Sequence, residues 1–281
     1  ESTADAPASP TGIIGAAPAM QEVFRAIGRL ANSHINVLIW GESGTGKELV
    51  ARCIHERSSR RQGPFAAINC AALPENSLEA ELFGSEPGAF VGASHEGKQG
   101  LFATASGGTL FLDEIGGMAK PLQAKLLRAV QDRTFRKVGG AQDIHADVRV
   151  VASTSRDLRS EVGQGNFRED LFHRLNATTV GLPLLSERAE DIPLLSHFFL
   201  GQFGRQMGKA LTGFTEGATE ILCEHSWPGN VRELLNVVQK MIVMAQGPTI
   251  DVRDVPDDVR AGDVEEAVGI GSLAGVGLDR L

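Results

Sequence analysis

Gly41-Glu42-Ser43-Gly44-Thr45-Gly46-Lys47-Glu48 decides how the rest of this 281-residue chain is read. An apolar run, Val37-Leu38-Ile39-Trp40, precedes it and predicts a β-strand. A helical pattern follows, with Leu49, Val50, Cys53 and Ile54 at the apolar positions. Strand, glycine loop and helix form the context of a phosphate-binding loop. Glycines at 41, 44 and 46 let successive backbone N–H groups turn inward as an anion nest. The helix adds its positive N-terminal end, and Lys47 is placed to reach the β- and γ-phosphates. Position 48 departs from the general pattern, since Glu48 stands where Ser or Thr usually meets Mg2+.

The second landmark is Gly107-Gly108-Thr109-Leu110-Phe111-Leu112-Asp113-Glu114, an apolar strand ending in two acids. In a parallel α/β sheet the carboxyl ends of the strands line the ligand crevice. Asp113 is then the candidate for Mg2+, held through water, and Glu114 the candidate for polarising the attacking water. The competing reading is a pair of acids capping the next helix. Phe65–Asn69 and Val148–Ser153 read as further strands, and Thr179–Leu182 as the last. Thr154, Ser155 and Arg156 follow a strand end, where they can sense the γ-phosphate.

Helical spacing predicts helices at Met20–Leu30, over 77–83, and from Pro121 with Leu122, Leu126, Leu127 and Val130 on the buried side. Ile13-Ile14-Gly15 reads either as an apolar wall for a nucleotide base or as ordinary core. Phe135–Gly140 suggests a hairpin or loop. Gly88-Ala89-Phe90-Val91-Gly92-Ala93 is poor helix or strand material, and reads as a surface turn or as a mobile loop presenting Phe90 to a partner.

Arg168 and Arg174 lie six residues apart in Phe167–Leu175, which on one helix turns them about 120° from a shared stripe. By pattern alone they read as solvated arginines paired to Glu169 and Asp170. After Pro183 strand patterns vanish, and residues 190–207, 215–226 and 230–245 read as three helices. Asn230 reads as the N-cap of the last, with Glu233 completing a capping box. Arg232 then opposes the helix dipole, which is favourable only beside an anion or a local acid.

Composition bounds the rest. Apolar residues make up 42% and charged residues 22%, and the net charge is −8. That balance argues against gripping DNA with this segment alone. Three separated cysteines, Cys53, Cys70 and Cys223, read as free thiols in a reducing compartment. No apolar run is long enough for a membrane span and no signal-peptide pattern is present, so a cytoplasmic location is expected. Residues 1–11 read as a linker, 12–183 as an α/β nucleotide-binding subdomain, 184–256 as an α-helical lid and 257–281 as a linker or tail.

Taken in order, GESGTGKE, ELFG followed by GAFVGA, GGTLFLDEI, FREDLFHRL and WPGNVREL resemble the central AAA+ ATPase domain of bacterial enhancer-binding proteins, the activators of sigma-54 RNA polymerase. The resemblance runs from about Gly12 to Pro256 and makes Glu48 the family residue at its position. It implies a P-loop α/β fold with a parallel central sheet between helices, followed by a small all-α lid. It implies ATP and Mg2+ as cofactors, with the loop 41–48 and Lys47 on phosphate, Asp113 on the metal and Glu114 activating water. It further implies that Asn69 holds Glu114 switched off, that Arg232 is the lid's sensor and that Ile14 packs on adenine. Arg168 and Arg174 become arginine fingers acting on a neighbouring subunit, hence a ring, typically a hexamer. Gly88–Ala93 becomes the contact to sigma-54 holoenzyme, with DNA met only through a separate domain.

Two positions depart from the family pattern. Val91 replaces the loop threonine, which removes a hydroxyl, and Ser155 stands where the family usually has Asn. Val91 also admits a second reading, a regulator that keeps the ATPase fold but represses or serves the housekeeping sigma factor.

Overall fold

The computed structural model describes residues 12–89 and 97–260. The strands are β1 (Val37–Trp40), β2 (Phe65–Asn69), β3 (Gly84–Ser85), β4 (Lys98–Gln99), β5 (Thr109–Asp113), β6 (Thr134–Phe135), β7 (Ile144–His145), β8 (Arg149–Thr154), β9 (Thr179–Gly181), β10 (Gly213–Phe214) and β11 (Thr249–Ile250). The α-helices are α1 (Pro18–Ala31), α2 (Lys47–Glu56), α3 (Glu75–Phe83), α4 (Leu101–Thr104), α5 (Lys120–Asp132), α6 (Leu158–Gly163), α7 (Glu169–Leu175), α8 (Ile192–Gln206), α9 (Glu216–Glu224), α10 (Asn230–Met244) and α11 (Asp257–Arg260).

Five strands form one parallel sheet in the order β2-β5-β8-β1-β9. Side chains alternate across it with the period of two that strands impose. Leu38, Leu110, Leu112, Val150 and Ala152 face one core with α3, α5 and α7. Val37, Ile39, Phe111, Val151 and Val180 face the other with α1 and α2. Burial on both faces explains why β5 and β8 read as continuous apolar runs rather than alternating ones.

α1 carries proline in its first turn, where the missing N–H costs nothing. It buries Met20, Val23, Ile27 and Leu30, close to the expected stripe. α5 buries Leu122, Gln123, Leu126, Ala129 and Val130, whereas Leu127 is only half-buried. Residues 134–145 form a hairpin with antiparallel β6 and β7.

Helices α8, α9 and α10 enclose a separate apolar core around Leu195, Phe199, Leu222, Trp227, Val238 and Met241. Three expectations need correction here. A short parallel pair, β10 with β11, lies where no strand was predicted, because two-residue strands leave no periodic signal. Order continues past residue 256: α11 buries Val259 against the lid core. Asn230 is not the cap of α10. Gly229 holds that position, and Glu233 Oε2 accepts from the Gly229 N–H at 2.7 Å. Neither half of the predicted capping box is built as expected, since Glu233 reaches back to Gly229 and the Asn230 N–H donates to the Trp227 carbonyl at 2.8 Å.

Candidate nucleotide site

The sheet order places the ends of β5, β8 and β1 side by side, so loops distant in sequence meet at one edge. Thr154 pairs in register with Trp40, and Asn69 with Asp113. The loop after β1 takes left-handed conformations at Gly44 (φ 81°) and Gly46 (φ 101°), which glycine alone adopts freely. A Cβ on Gly44 would also lie 2.2 Å from the Gly229 carbonyl, so the lid backbone rests directly on this loop. The N–H groups of Ser43, Gly44 and Gly46 are spent on no backbone carbonyl among the described residues. Free, convergent amides at a helix N-terminus suit a phosphate.

Lys47 is nearly buried, and Nζ donates to the Gly41 and Glu42 carbonyls at 2.9 and 3.1 Å. It also pairs with Glu114 Oε1 at 2.9 Å. Glu114 Oε2 accepts from the Ser155 N–H at 3.0 Å and from Ser155 Oγ at 2.7 Å. Burial alone would raise the Glu114 carboxyl pKa, but the bonds from Lys47 and Ser155 outweigh it and hold the group below its usual value. Glu114 has φ 52° and caps no helix with its side chain, which removes the competing reading of the acid pair.

The expected partnership of Asn69 with Glu114 is absent. Asn69 Nδ2 donates to Asp113 Oδ2 at 3.1 Å, and Ser153 Oγ donates to Asp113 Oδ1. Asn69 sits at the end of β2 in register with Asp113, which directs it to that neighbour. Ser155, just past the end of the adjoining β8, takes Glu114 instead. Asp113 is thus braced from both flanking strands and lines the cleft, a carboxylate of the kind that could hold a hydrated Mg2+. Cys70 lies beneath the acids; burial, then Asp113 and Glu114, push its thiol up to about 12.

From the lid, Arg232 Nη1 donates to Ser43 Oγ at 2.9 Å, so the arginine expected to oppose a dipole reaches the phosphate loop. Asn230 is a residue whose role local pattern could not reveal. Its Oδ1 accepts from the Leu185 N–H at 2.9 Å and its Nδ2 donates to the Ser43 carbonyl at 3.1 Å. Thr45 Oγ1 donates to the Glu42 carbonyl, which stiffens the loop. Glu48 lines the cleft, while its carboxylate pairs with Arg52 at 2.8 Å.

Two clefts meet here. One of about 330 Å³ is lined by Lys47, Asp113, Glu114, Asn69 and Arg232. The other, about 300 Å³, is lined by Ile13, Ile14, Leu182, Phe198 and Phe199. Gly46, Leu49, Val231 and Leu235 border both. A polar half joined to an apolar half fits a triphosphate continuing into a purine, and Ile14 lines the apolar half while packing against the lid core.

Arg168 and Arg174 do not enter this cleft. Arg168 precedes α7, and Gln123 Oε1 accepts from its N–H at 2.8 Å. Its guanidinium pairs with Asp170 at 2.7 Å, as the local pattern suggested. The Arg174 guanidinium has no hydrogen-bond or ion-pair partner among the described residues. In the candidate partner loop, Gly88 (φ 67°) and Ala89 are described. Phe90, Val91, Gly92 and Ala93 lie outside the described residues. The loop leaves from β3 and returns through β4, which pair antiparallel, and Glu86 N–H donates to the Val138 carbonyl of the β6–β7 hairpin at 3.0 Å.

Residues 13–181 match the sigma-54 interaction domain, and residues 186–269 match the AAA+ ATPase lid domain. The transcriptional regulatory protein ZraR of Escherichia coli K12 is 49% identical over 249 residues, covering 89% of this chain and 56% of ZraR. The Nif-specific regulatory protein of Azotobacter vinelandii is 52% identical over 243 residues, covering 86% of this chain and 46% of that protein. The chain therefore spans about half the length of these curated relatives. The crystal structure of NtrX from Brucella abortus in complex with ADP superimposes with a TM-score of 0.82 at 38% identity, covering 88% of this chain and 55% of NtrX. NtrX has also been solved in complex with ATP. No helix among the described residues is long and apolar enough to cross a membrane. With its parallel sheet, phosphate loop and helical lid, the chain belongs to the sigma-54 interaction domain family of AAA+ ATPases.

Proposed function

We propose that this domain hydrolyses ATP to ADP and phosphate and uses the cycle to remodel closed complexes of sigma-54 RNA polymerase holoenzyme. One observation carries the reading: Lys47, Asp113 and Glu114 converge on a single cleft that the lid's Arg232 overhangs. Lys47 and the free amides of the loop would bind the phosphates. Mg2+, held by Asp113 through water, would supply charge neutralisation on the phosphoryl oxygens. Glu114 orients and polarises the attacking water once phosphate takes Lys47 from it.

Arg168 and Arg174, outside the cleft of their own chain, act on the nucleotide of the next subunit in a ring, most simply a hexamer. Such fingers are worth about 10³–10⁵ in rate. The loop at Gly88–Ala93 is the sigma-54 contact, driven through the β6–β7 hairpin that its stem touches. DNA is met through a domain outside this chain, and the free thiols suit a cytoplasmic protein.

Steady-state phosphate release tests hydrolysis. Mixing Lys47→Ala with Arg174→Ala protein tests the ring: each alone is inactive, and the mixture regains turnover only if the finger works in trans. Formation of open promoter complexes with sigma-54 holoenzyme, comparing the native chain with Val91→Thr, tests the target. Activity in the native chain supports remodelling. Activity gained only with threonine supports a regulator that does not open sigma-54 promoters.

A further inference from the structure

The apolar cleft contains one charged side chain among the described residues lining it, Arg188. It belongs to the 3-10 segment Ser186–Asp191, which joins the sheet subdomain to α8. Only 4% of it is exposed. Its Nη1 lies 4.0 Å from Asp191 Oδ2, too far for a hydrogen bond, and its buried Nε has no hydrogen-bond partner. Asp191 is fully buried: its Oδ1 accepts from the N–H groups of Ala16 and Ala17 at 2.6 and 3.0 Å, while its Oδ2 has no hydrogen-bond partner and serves Arg188 only as a loose ion pair. Arg188 is therefore an under-satisfied cation in the wall of an apolar chamber.

A buried guanidinium N–H without a hydrogen-bond partner is costly even beside a counter-charge, and such groups in native proteins point to a ligand or a function. It carries only donors, so it selects an acceptor. The other polar side chains on this wall do not compete, because Thr45 is bonded to Glu42 and Gln202 is exposed.

We propose that Arg188 reads the nucleotide base, its guanidinium donating to an unprotonated ring nitrogen of adenine, and so couples base occupancy to the joint between sheet and lid. This rests on the cleft taking an adenine nucleotide. An adenine presents its ring nitrogens as acceptors, and a guanidinium can meet one without any change of protonation. The same contact gives Arg188 its missing partner, so the base and the hinge segment are ordered together.

Calorimetric binding of ADP, of inorganic tripolyphosphate and of the 1-, 3- and 7-deaza analogues of ADP tests this on the full chain, with Arg188→Met and Arg188→Lys. Arg188→Met should weaken ADP binding roughly tenfold and leave tripolyphosphate binding unchanged, while the loss of the cation beside buried Asp191 lowers the melting temperature of the apo protein. Arg188→Lys should restore part of the loss. On the native chain one deaza analogue should bind roughly tenfold more weakly than ADP, and that deficit should vanish in Arg188→Met. Equal binding of ADP by a folded Arg188→Met overturns the proposal. So does indifference of the native chain to all three deaza analogues, whether or not the variant folds. If the native chain binds tripolyphosphate but not ADP, the reading of the apolar cleft as a base site fails with it.

Discussion

Glu114 Oε1 lies 2.9 Å from Lys47 Nζ, so the residue assigned to water and the residue assigned to phosphate hold one another. A γ-phosphate competes for the same ammonium. Under the proposed function, binding phosphate and releasing Glu114 would be one event, with the Ser155 bonds aiming the freed carboxylate.

Glu114→Gln should therefore separate binding from chemistry. The amide keeps the shape but removes the charge that occupies Lys47. ATP binding should hold or tighten a few-fold, and turnover should fall by about 10²–10⁴, the usual contribution of a positioned base. Equilibrium binding with a fluorescent ATP analogue and a phosphate-release assay read the two effects. Native turnover in Glu114→Gln removes this residue from the mechanism.

Ser155→Ala deletes one of two bonds to Glu114 Oε2 and leaves the other, from the backbone. Removing one bond to a charged group is worth about 1.5–3 kcal/mol in the resting arrangement. A carboxylate less well aimed lowers kcat while ATP affinity stays near native, and Ser155→Thr, which keeps the hydroxyl, should recover most of the rate. A change confined to KM would assign Ser155 to nucleotide binding instead.

Much of this site is legible along the chain because its chemistry is local. The loop 41–48 and the acids at 113–114 each sit where a strand ends, and strand ends are readable from apolar runs. What stayed hidden is set by side chains reaching between elements. Asn69 was expected on Glu114, yet strand register puts it opposite Asp113. Asn230 looked like a helix cap, because an Asn three residues before a Glu is the local signature of one, whereas its partners Ser43 and Leu185 lie far away in sequence. Arg188 drew no attention in a charged stretch, and only the fold shows it buried.

Asn230→Ala should loosen the lid. Asn230 has φ 53°, a conformation an alanine adopts at a cost of about 1–2 kcal/mol, and the change also strips the buried Leu185 N–H of its acceptor. Asn230→Gly relieves the backbone part alone. Chemical denaturation should find both variants destabilised, with alanine worse than glycine by about 1 kcal/mol. Equal loss in the two would assign the whole effect to the amide's bonds.

His55 gives the fold a dependence on pH away from the nucleotide. It is buried beside Thr109, with Nδ1 3.0 Å from Thr109 Oγ1, and its ring packs on Phe65. Burial lowers its pKa below the usual 6.5, against the pull of Glu56 and the backbone at Gly63, with Arg149 and Arg52 adding to the lowering. The unfolded chain thus takes up this proton at a higher pH than the folded one. The contribution to stability is complete above about pH 6.5 and is lost as pH falls through the lowered folded value. Denaturation midpoints measured downward from pH 7.5 should decline below that point in the native chain. In His55→Gln, which keeps an amide for Thr109 but does not titrate, this part of the decline should disappear. An identical pH profile in the two proteins would show that other groups govern acid stability here.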